Sequence, residues 1–222
     1  MQIYSATKYP LRFSSIFWIK NQVFSDDVAL DSKYTFFETN VVVNDSGFRG
    51  HSLNVGSLND NIHVKSNHAY RLDGQVGIAR DGGKSLFFED TATTIPIDKA
   101  EVRPQSMANN VLAQGHGKIV DWFGSATDDC IPIEVIRVSH RYPDVMGPQR
   151  EEFFANDLLP SHLTLPLDIE ALTEGNIISL RGKVVAYEES NRTWIIEATD
   201  IDLIYSLPNR RRSLRQQGLP PQ

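Results

Sequence analysis

The sequence predicts an all-β fold with few short helices, and three observations carry that reading. Runs rich in β-branched and aromatic residues recur along the 222-residue chain, separated by clusters of turn residues. Helix-period patterns are few. One strand–turn–strand segment recurs at a fixed offset. Strands alternating with long helices are absent, which argues against a doubly wound sheet or a TIM barrel and leaves a sandwich or barrel of short strands.

Taken in order, residues 34–43 read as a strand ended by Asn44-Asp45-Ser46-Gly47. Residues 70–78 and 85–89 read as a hairpin turning at Asp81-Gly82-Gly83. Strands over 111–122, 131–139, 162–167, 177–187 and 193–199 follow, with 200–204 as a further candidate. A short helix is expected over 148–158 and a single turn over 168–172.

The repeat sets the domain count. Leu72-Asp73-Gly74-Gln75-Val76 lies over Leu180-Arg181-Gly182-Lys183-Val184, and Phe87-Phe88-Glu89 over Ile195-Ile196-Glu197, at a constant offset of 108 residues. Alternation puts Gly74 on the face of Leu72, Val76 and Ile78, and Gly182 on the face of Leu180, Val184 and Ala186. A glycine there permits sharp coiling, a bulge or a close backbone approach, as a small closed barrel needs. The expected organisation is a first module with an N-terminal extension over 1–108, a second over 109–206, and a basic tail over 207–222.

Four stretches carry a resemblance. They are residues 111–120, with the small residues of Gly115-His116-Gly117 at a bend; 131–138; 178–185; and 193–198. Together they resemble the oligonucleotide/oligosaccharide-binding (OB) fold, the five-strand Greek-key barrel. The likeness is best in 109–206 and looser in 30–100. It implies two small OB-like Greek-key β-barrels in tandem.

Signatures of catalysis are missing. Gly115-His116-Gly117-Lys118 fails as a phosphate loop, because Ile119 stands where a hydroxyl residue is needed and Leu112 where the leading glycine is needed. The six histidines are scattered without ligand spacing. The lone Cys130 has no second cysteine to bridge. No Gly-x-Ser-x-Gly elbow occurs. Asn191-Arg192-Thr193 fits a glycosylation acceptor, yet no signal peptide is read at the start of the chain. The expectation is a non-enzymatic protein with no cofactor and no metal. No apolar run reaches the roughly 18–20 residues that cross a bilayer, so no membrane is expected, and the localisation reads as intracellular, nuclear or cytoplasmic.

Charge is uneven. Residues 1–108 hold 11 basic and 12 acidic residues, 109–206 hold 7 and 16, and 207–222 hold 4 arginines and no acid. The first segment also carries 13 of the 21 aromatics, and bases stack on aromatics irrespective of sequence. A barrel that binds a single strand needs cations for phosphates and aromatic faces for bases. Parity nominates Phe36 for stacking and turns Arg71 outward, and Arg49, Arg71 and Lys84 are the candidate phosphate contacts of the first module. Lys118, Arg137, Arg181 and Lys183 are nominated in the second. Arg210, Arg211, Arg212 and Arg215 form a basic patch in the tail. Of the adjacent pairs Phe36-Phe37, Phe87-Phe88 and Phe153-Phe154, one ring in each is expected to be exposed or covered by the other module. The expected partner is single-stranded DNA or RNA. The acidic middle segment, which repels polyanions, supports an alternative: a scaffold subunit whose barrels bind other protein subunits.

Overall fold

A computed structural model describes residues 10–24, 28–44, 47–79, 84–98, 102, 107–126, 132–146, 152–164 and 172–205. Twelve strands join in one sheet. They are β1 (Arg12–Ile19), β2 (Gln22–Val23), β3 (Tyr34–Asn44), β4 (Phe48–Leu58), β5 (His68–Ile78), β6 (Ser85–Glu89), β7 (Ile95–Ile97), β8 (Leu112–Ala126), β9 (Pro132–Arg141), β10 (Glu152–Leu159), β11 (Ile177–Glu188) and β12 (Thr193–Tyr205). Two single-turn α-helices, α1 (Val28–Asp31) and α2 (Ser161–Thr164), and two 3-10 turns, Asn59–Asn61 and Asp144–Met146, complete the described elements.

Period-two burial is what makes these segments strands. In β1, Phe13, Ser15, Phe17 and Ile19 are buried and the residues between them are not. The same rule corrects the helix expected over 148–158. In β10, Phe153, Ala155, Asp157 and Leu159 are buried in strict alternation, and a helix would scatter them around its surface. The strand expected from 162 begins instead as α2, and 165–171 lie outside the described residues. β1 and β4 had no expected counterpart. The candidates at 193–199 and 200–204 are one strand, β12.

β8 pairs antiparallel with β9, and β9 with β10. β10 runs parallel to β12, β12 is antiparallel to β11, and β11 returns to β8. The ring closes as a five-strand Greek-key barrel of the OB type. Ile119, Ile136, Val138, Leu159, Ile178 and Leu180 fill its interior. Gly115, Gly117 and Lys118 lie within β8, so no phosphate loop exists there.

The earlier strands follow the same order of pairings. β1 runs through Lys20 and Asn21, which exchange backbone hydrogen bonds of 2.8 Å with Glu38 on β3, into β2, which pairs with β3. β3 is antiparallel to β4, β4 parallel to β6, β6 antiparallel to β5, and β5 antiparallel to β1. The two 108-offset segments, β5–β6 and β11–β12, hold corresponding places in this order. Both of their valines are anchored alike. Val76 donates its N–H to the Leu11 carbonyl (2.8 Å), and Val184 donates to the Val111 carbonyl (2.9 Å).

The shared glycines mark a close backbone approach. A Cβ on Gly74 would lie 2.3 Å from the Phe88 carbonyl oxygen, and one on Gly182 would lie 2.4 Å from that of Glu197. Gly74→Ala or Gly182→Ala is therefore expected to lower stability by about 1–3 kcal/mol, as forced overpacking does. Urea denaturation measures it, and an unchanged midpoint in both variants would contradict the reading.

Two titratable groups are fully buried near the second ring's strands. Asp157 faces Ile136 on β9 and Ile196 on β12, and its Oδ2 has no hydrogen-bond partner among the described residues. Burial pushes its carboxyl up to about 8. Burial pushes His140 down to about 4, although its Nδ1 donates to the His116 carbonyl at 3.2 Å. A carboxyl raised by folding costs stability as pH climbs from its unfolded value near 4 through 8. A histidine lowered by folding costs stability as pH drops from about 6.5 through 4. The two slopes oppose each other below about pH 6.5, and only Asp157 acts above it. Unfolding free energy should then fall between pH 6.5 and 8, by at most about 1.4 kcal/mol per pH unit. Asp157→Asn should flatten that limb, and an unaltered slope in this variant would count against it.

Candidate nucleic-acid interface

The outward side chains of β8, β9 and β10 form one continuous surface. Register places Lys118 beside Ser139 and Ser139 beside Phe154. It also places Asp121 beside Arg137 and Arg137 beside Asn156, then Phe123 beside Val135 and Val135 beside Leu158. Arg141 and Glu152 end the row. Three cations (Lys118, Arg137 and Arg141), two carboxylates (Asp121 and Glu152) and two rings (Phe123 and Phe154) therefore share this face. The Arg137 guanidinium stands 4.6 Å from the Phe154 ring centroid, a cation–π contact that holds both side chains upright.

β8 runs on past Lys118, its last residue paired with β11, as an arm alongside β9. It carries Trp122 and Phe123, 40% and 42% exposed. Neighbours on a ribbon point to opposite faces, so the arm offers a ring on each side. The Trp122 indole N–H donates to Glu134 at 2.9 Å, which steadies it. Carboxylates temper the charge of the surface. Lys118 lies 3.9 Å from Glu152, and Arg141 lies 3.4 Å from Asp144. Ser139 donates a short hydrogen bond to Glu152. Exposed pairs of this kind are weak and exchange readily with other anions.

Among the residues nominated from sequence, Lys118 and Arg137 meet on this surface. Arg181 and Lys183 lie on β11, in register with Asp200 and Glu197 respectively. Arg71 projects from β5 between Ile16 and Ile95. Arg49 is exposed near the β3–β4 turn beside Phe48, and Lys84 is exposed just before β6. Neither joins the Lys118–Arg137 surface.

Phe36 requires a correction. It is 0% exposed and cannot stack on a base. Parity did place it opposite Phe37, but the outer side of β3 is covered. Leu30, Tyr34, Leu86, Phe88 and Met146 pack around Phe36 as a second small core. Met146 and Tyr142, from the β9–β10 connection, close over Gly77, where an added Cβ would sit 2.5 Å from the Met146 sulfur. Both rings of Phe36-Phe37 and of Phe87-Phe88 are thus buried, while Phe153 is buried and Phe154 half-buried. The arginines at 210, 211, 212 and 215 and Cys130 lie outside the described residues.

Phe154, Phe123, Trp122 and Arg141 were not nominated from sequence. The available signal was the alternation through Phe153, Ala155, Asp157 and Leu159, which puts Phe154 outward once the segment is read as a strand.

No protein-family model matches the chain, and no curated protein matches it. Solved structures do. A deletion mutant of the single-stranded DNA binding protein from Thermus aquaticus matches over 90% of this chain and 96% of its own, with a TM-score of 0.51 and 10% sequence identity. The wild-type form of that protein matches over 91% and 95%, with a TM-score of 0.49 and 10% identity. The first likeness supports the fold described above. Among the described residues, no helix is long and apolar enough to cross a membrane.

The Arg137–Phe154 contact is open to direct measurement. A double-mutant cycle with Arg137→Ala and Phe154→Leu, read by urea denaturation, should return a coupling of about 0.5–1 kcal/mol. Strict additivity would show that the stacking contributes nothing.

Proposed function

We propose that this chain is a non-catalytic binder of single-stranded DNA or RNA, and that the strand crosses the outer face of β8, β9 and β10. One observation carries the reading: Lys118, Arg137 and Phe154 converge there, with the Phe123 ring at one end. Phosphates need cations and bases need aromatic faces, and this is the described surface where both meet on adjacent strands. In barrels of this type the face of the second and third strands and the loop joining the first two commonly hold oligonucleotides. Here those are β9, β10 and the β8–β9 arm. The Thermus aquaticus neighbour binds single-stranded DNA by its name, which supports the reading as an analogy of fold.

The proposal includes a chain built from a duplicated barrel unit, with modules over 1–108 and 109–206 and a basic tail over 207–222. The matching order of pairings and the matched anchoring of Val76 and Val184 support it. The modules are unequal in use. On the first module Tyr142 and Met146 pack with Phe36 of β3, the counterpart of β9, and with Leu86 and Phe88 of β6, which supports the second module as the one that takes the strand. A second reading, a subunit that binds other proteins, is favoured by the carboxylates Asp121, Glu134 and Glu152 on or beside the same face.

Fluorescence anisotropy with labelled dT and U oligonucleotides tests these readings. Affinity should fall as salt rises, with a log–log slope of about −0.7 per phosphate contacted. Phe154→Ala should weaken binding by about 1–3 kcal/mol. No detectable affinity at low salt would remove the nucleic-acid reading and favour the protein-partner one.

A further inference from the structure

A different surface gathers polar side chains where the two halves of the sheet meet. Register aligns four of them in one cross-strand row. Gln75 on β5 is opposite Arg12 on β1, Arg12 is opposite Gln114 on β8, and Gln114 is opposite Arg181 on β11. Side chains paired in register share a face, so two guanidiniums flank one amide. Neighbouring strands are about 4.8 Å apart, which sets the Arg12 and Arg181 backbones about 10 Å apart. Two arginine side chains span that gap easily. The row runs between two hollows. One, of about 540 Å³, is bordered by Arg12, Ser14, Gln114, Arg181 and Thr199. The other, of about 310 Å³, is bordered by Gln75, Arg12, Gln114 and Arg181.

Three carboxylates face this row. Asp90 meets Arg12 at 3.4 Å, Asp73 lines the larger hollow, and Asp200 is in register with Arg181. The Arg12–Asp90 contact is long and joins side chains 33% and 43% exposed. It engages one N–H edge of a group that carries five donors, and surface pairs of this kind are weak. The remaining donors suit a tetrahedral phosphoryl oxyanion. Guanidinium forks bind such a group in bidentate fashion from two sides, and the Gln114 amide can supply a further donor between them.

We propose that the Arg12–Gln114–Arg181 row is a binding site for a phosphoryl group, held jointly by both halves of the chain. Its residues are distinct from the Phe154 surface, so it stands or falls separately from that reading. The group is either free, as phosphate or pyrophosphate, or a phosphodiester in a strand that continues from Lys118 along the outer side of β8 toward Gln114.

Guanidinium Nε–Hε NMR resonances of the full chain test the site. Inorganic pyrophosphate and a dT oligonucleotide of roughly 30 nucleotides, about twice the upper footprint of one such barrel, serve as separate titrants at low salt. The expected result is a saturable shift of the Arg12 and Arg181 resonances with pyrophosphate, and a rise of about tenfold in its apparent Kd in Arg181→Gln. A saturable shift with the oligonucleotide alone also supports the site and assigns the phosphoryl group to a strand. Arg181 is exposed, so the variant should keep its circular dichroism spectrum. Retained pyrophosphate shifts in Phe154→Ala, alongside weakened oligonucleotide binding, support two separate sites. No saturable shift of either arginine with either titrant overturns the proposal.

Discussion

Phe13 and Trp194 meet edge to face, with ring centroids 5.4 Å apart, and the arrangement of the whole sheet depends on that contact. Phe13 belongs to β1 and Trp194 to β12, so the ring pair ties the first strands to the last. The contact sits in one apolar core that runs from Val41, Leu72 and Val76 to Ala155, Val184 and Ile196. His51 and Tyr187 extend it at ring distances of 6.5 and 4.5 Å from Trp194. A shared core of this kind holds both sets of strands in one orientation, because close-packed interiors transmit displacement instead of absorbing it. The backbone link beside it is short. β1 and β8 exchange only three residue pairs, Arg12 to Ser14 against Leu112 to Gln114. The Arg12–Gln114–Arg181 row follows from it: without that pairing Arg12 and Arg181 would belong to separate surfaces.

The same union makes the two halves unequal. The β9–β10 connection reaches across and lays Tyr142 and Met146 on β5 and β6. That contact needs the bare backbone of Gly77. It also explains why so much of the first half is dry on both sides, since every residue of β6 is buried. The half that gives up the covering segment keeps Arg137, Phe154, Asn156 and Leu158 of its own β9–β10 face partly exposed. Both halves show rings, Phe24 and Phe48 in the first and Trp122 and Phe123 in the second, but only those of the second lie beside the Lys118–Arg137 surface.

Much of the architecture was legible in the residues. The repeat around Leu72-Asp73-Gly74-Gln75-Val76 and Leu180-Arg181-Gly182-Lys183-Val184 found two hairpins that do hold corresponding places, and of the coiling, bulge or close approach that the central glycine allowed, the close approach is present in both. The site was less legible. The helix expected over 148–158 rested on spacing that this stretch also offers, because Phe154 and Leu158 stand four apart and Ala155 and Leu158 three apart. Short apolar runs carry that ambiguity, and sheet partners resolve it. Phe36 was misplaced for another reason. Parity gives two faces to a strand but cannot say that both are covered, and the cover comes from Met146, more than a hundred residues further along. The Arg12–Gln114–Arg181 row was invisible for the same cause, since three strands from both halves must be in register before it exists.

The covering segment also carries a cost in time. Phe88 leaves the ribosome 58 residues ahead of Met146. At ordinary elongation rates that is an interval of roughly 3–12 s. Throughout it, Phe36 and Phe88 have their strands but lack the side chains that shield them, so the emerging polypeptide presents a greasy patch to every chaperone and neighbouring nascent chain. Translation speed through codons 89–146 thus becomes a variable in the yield of folded protein.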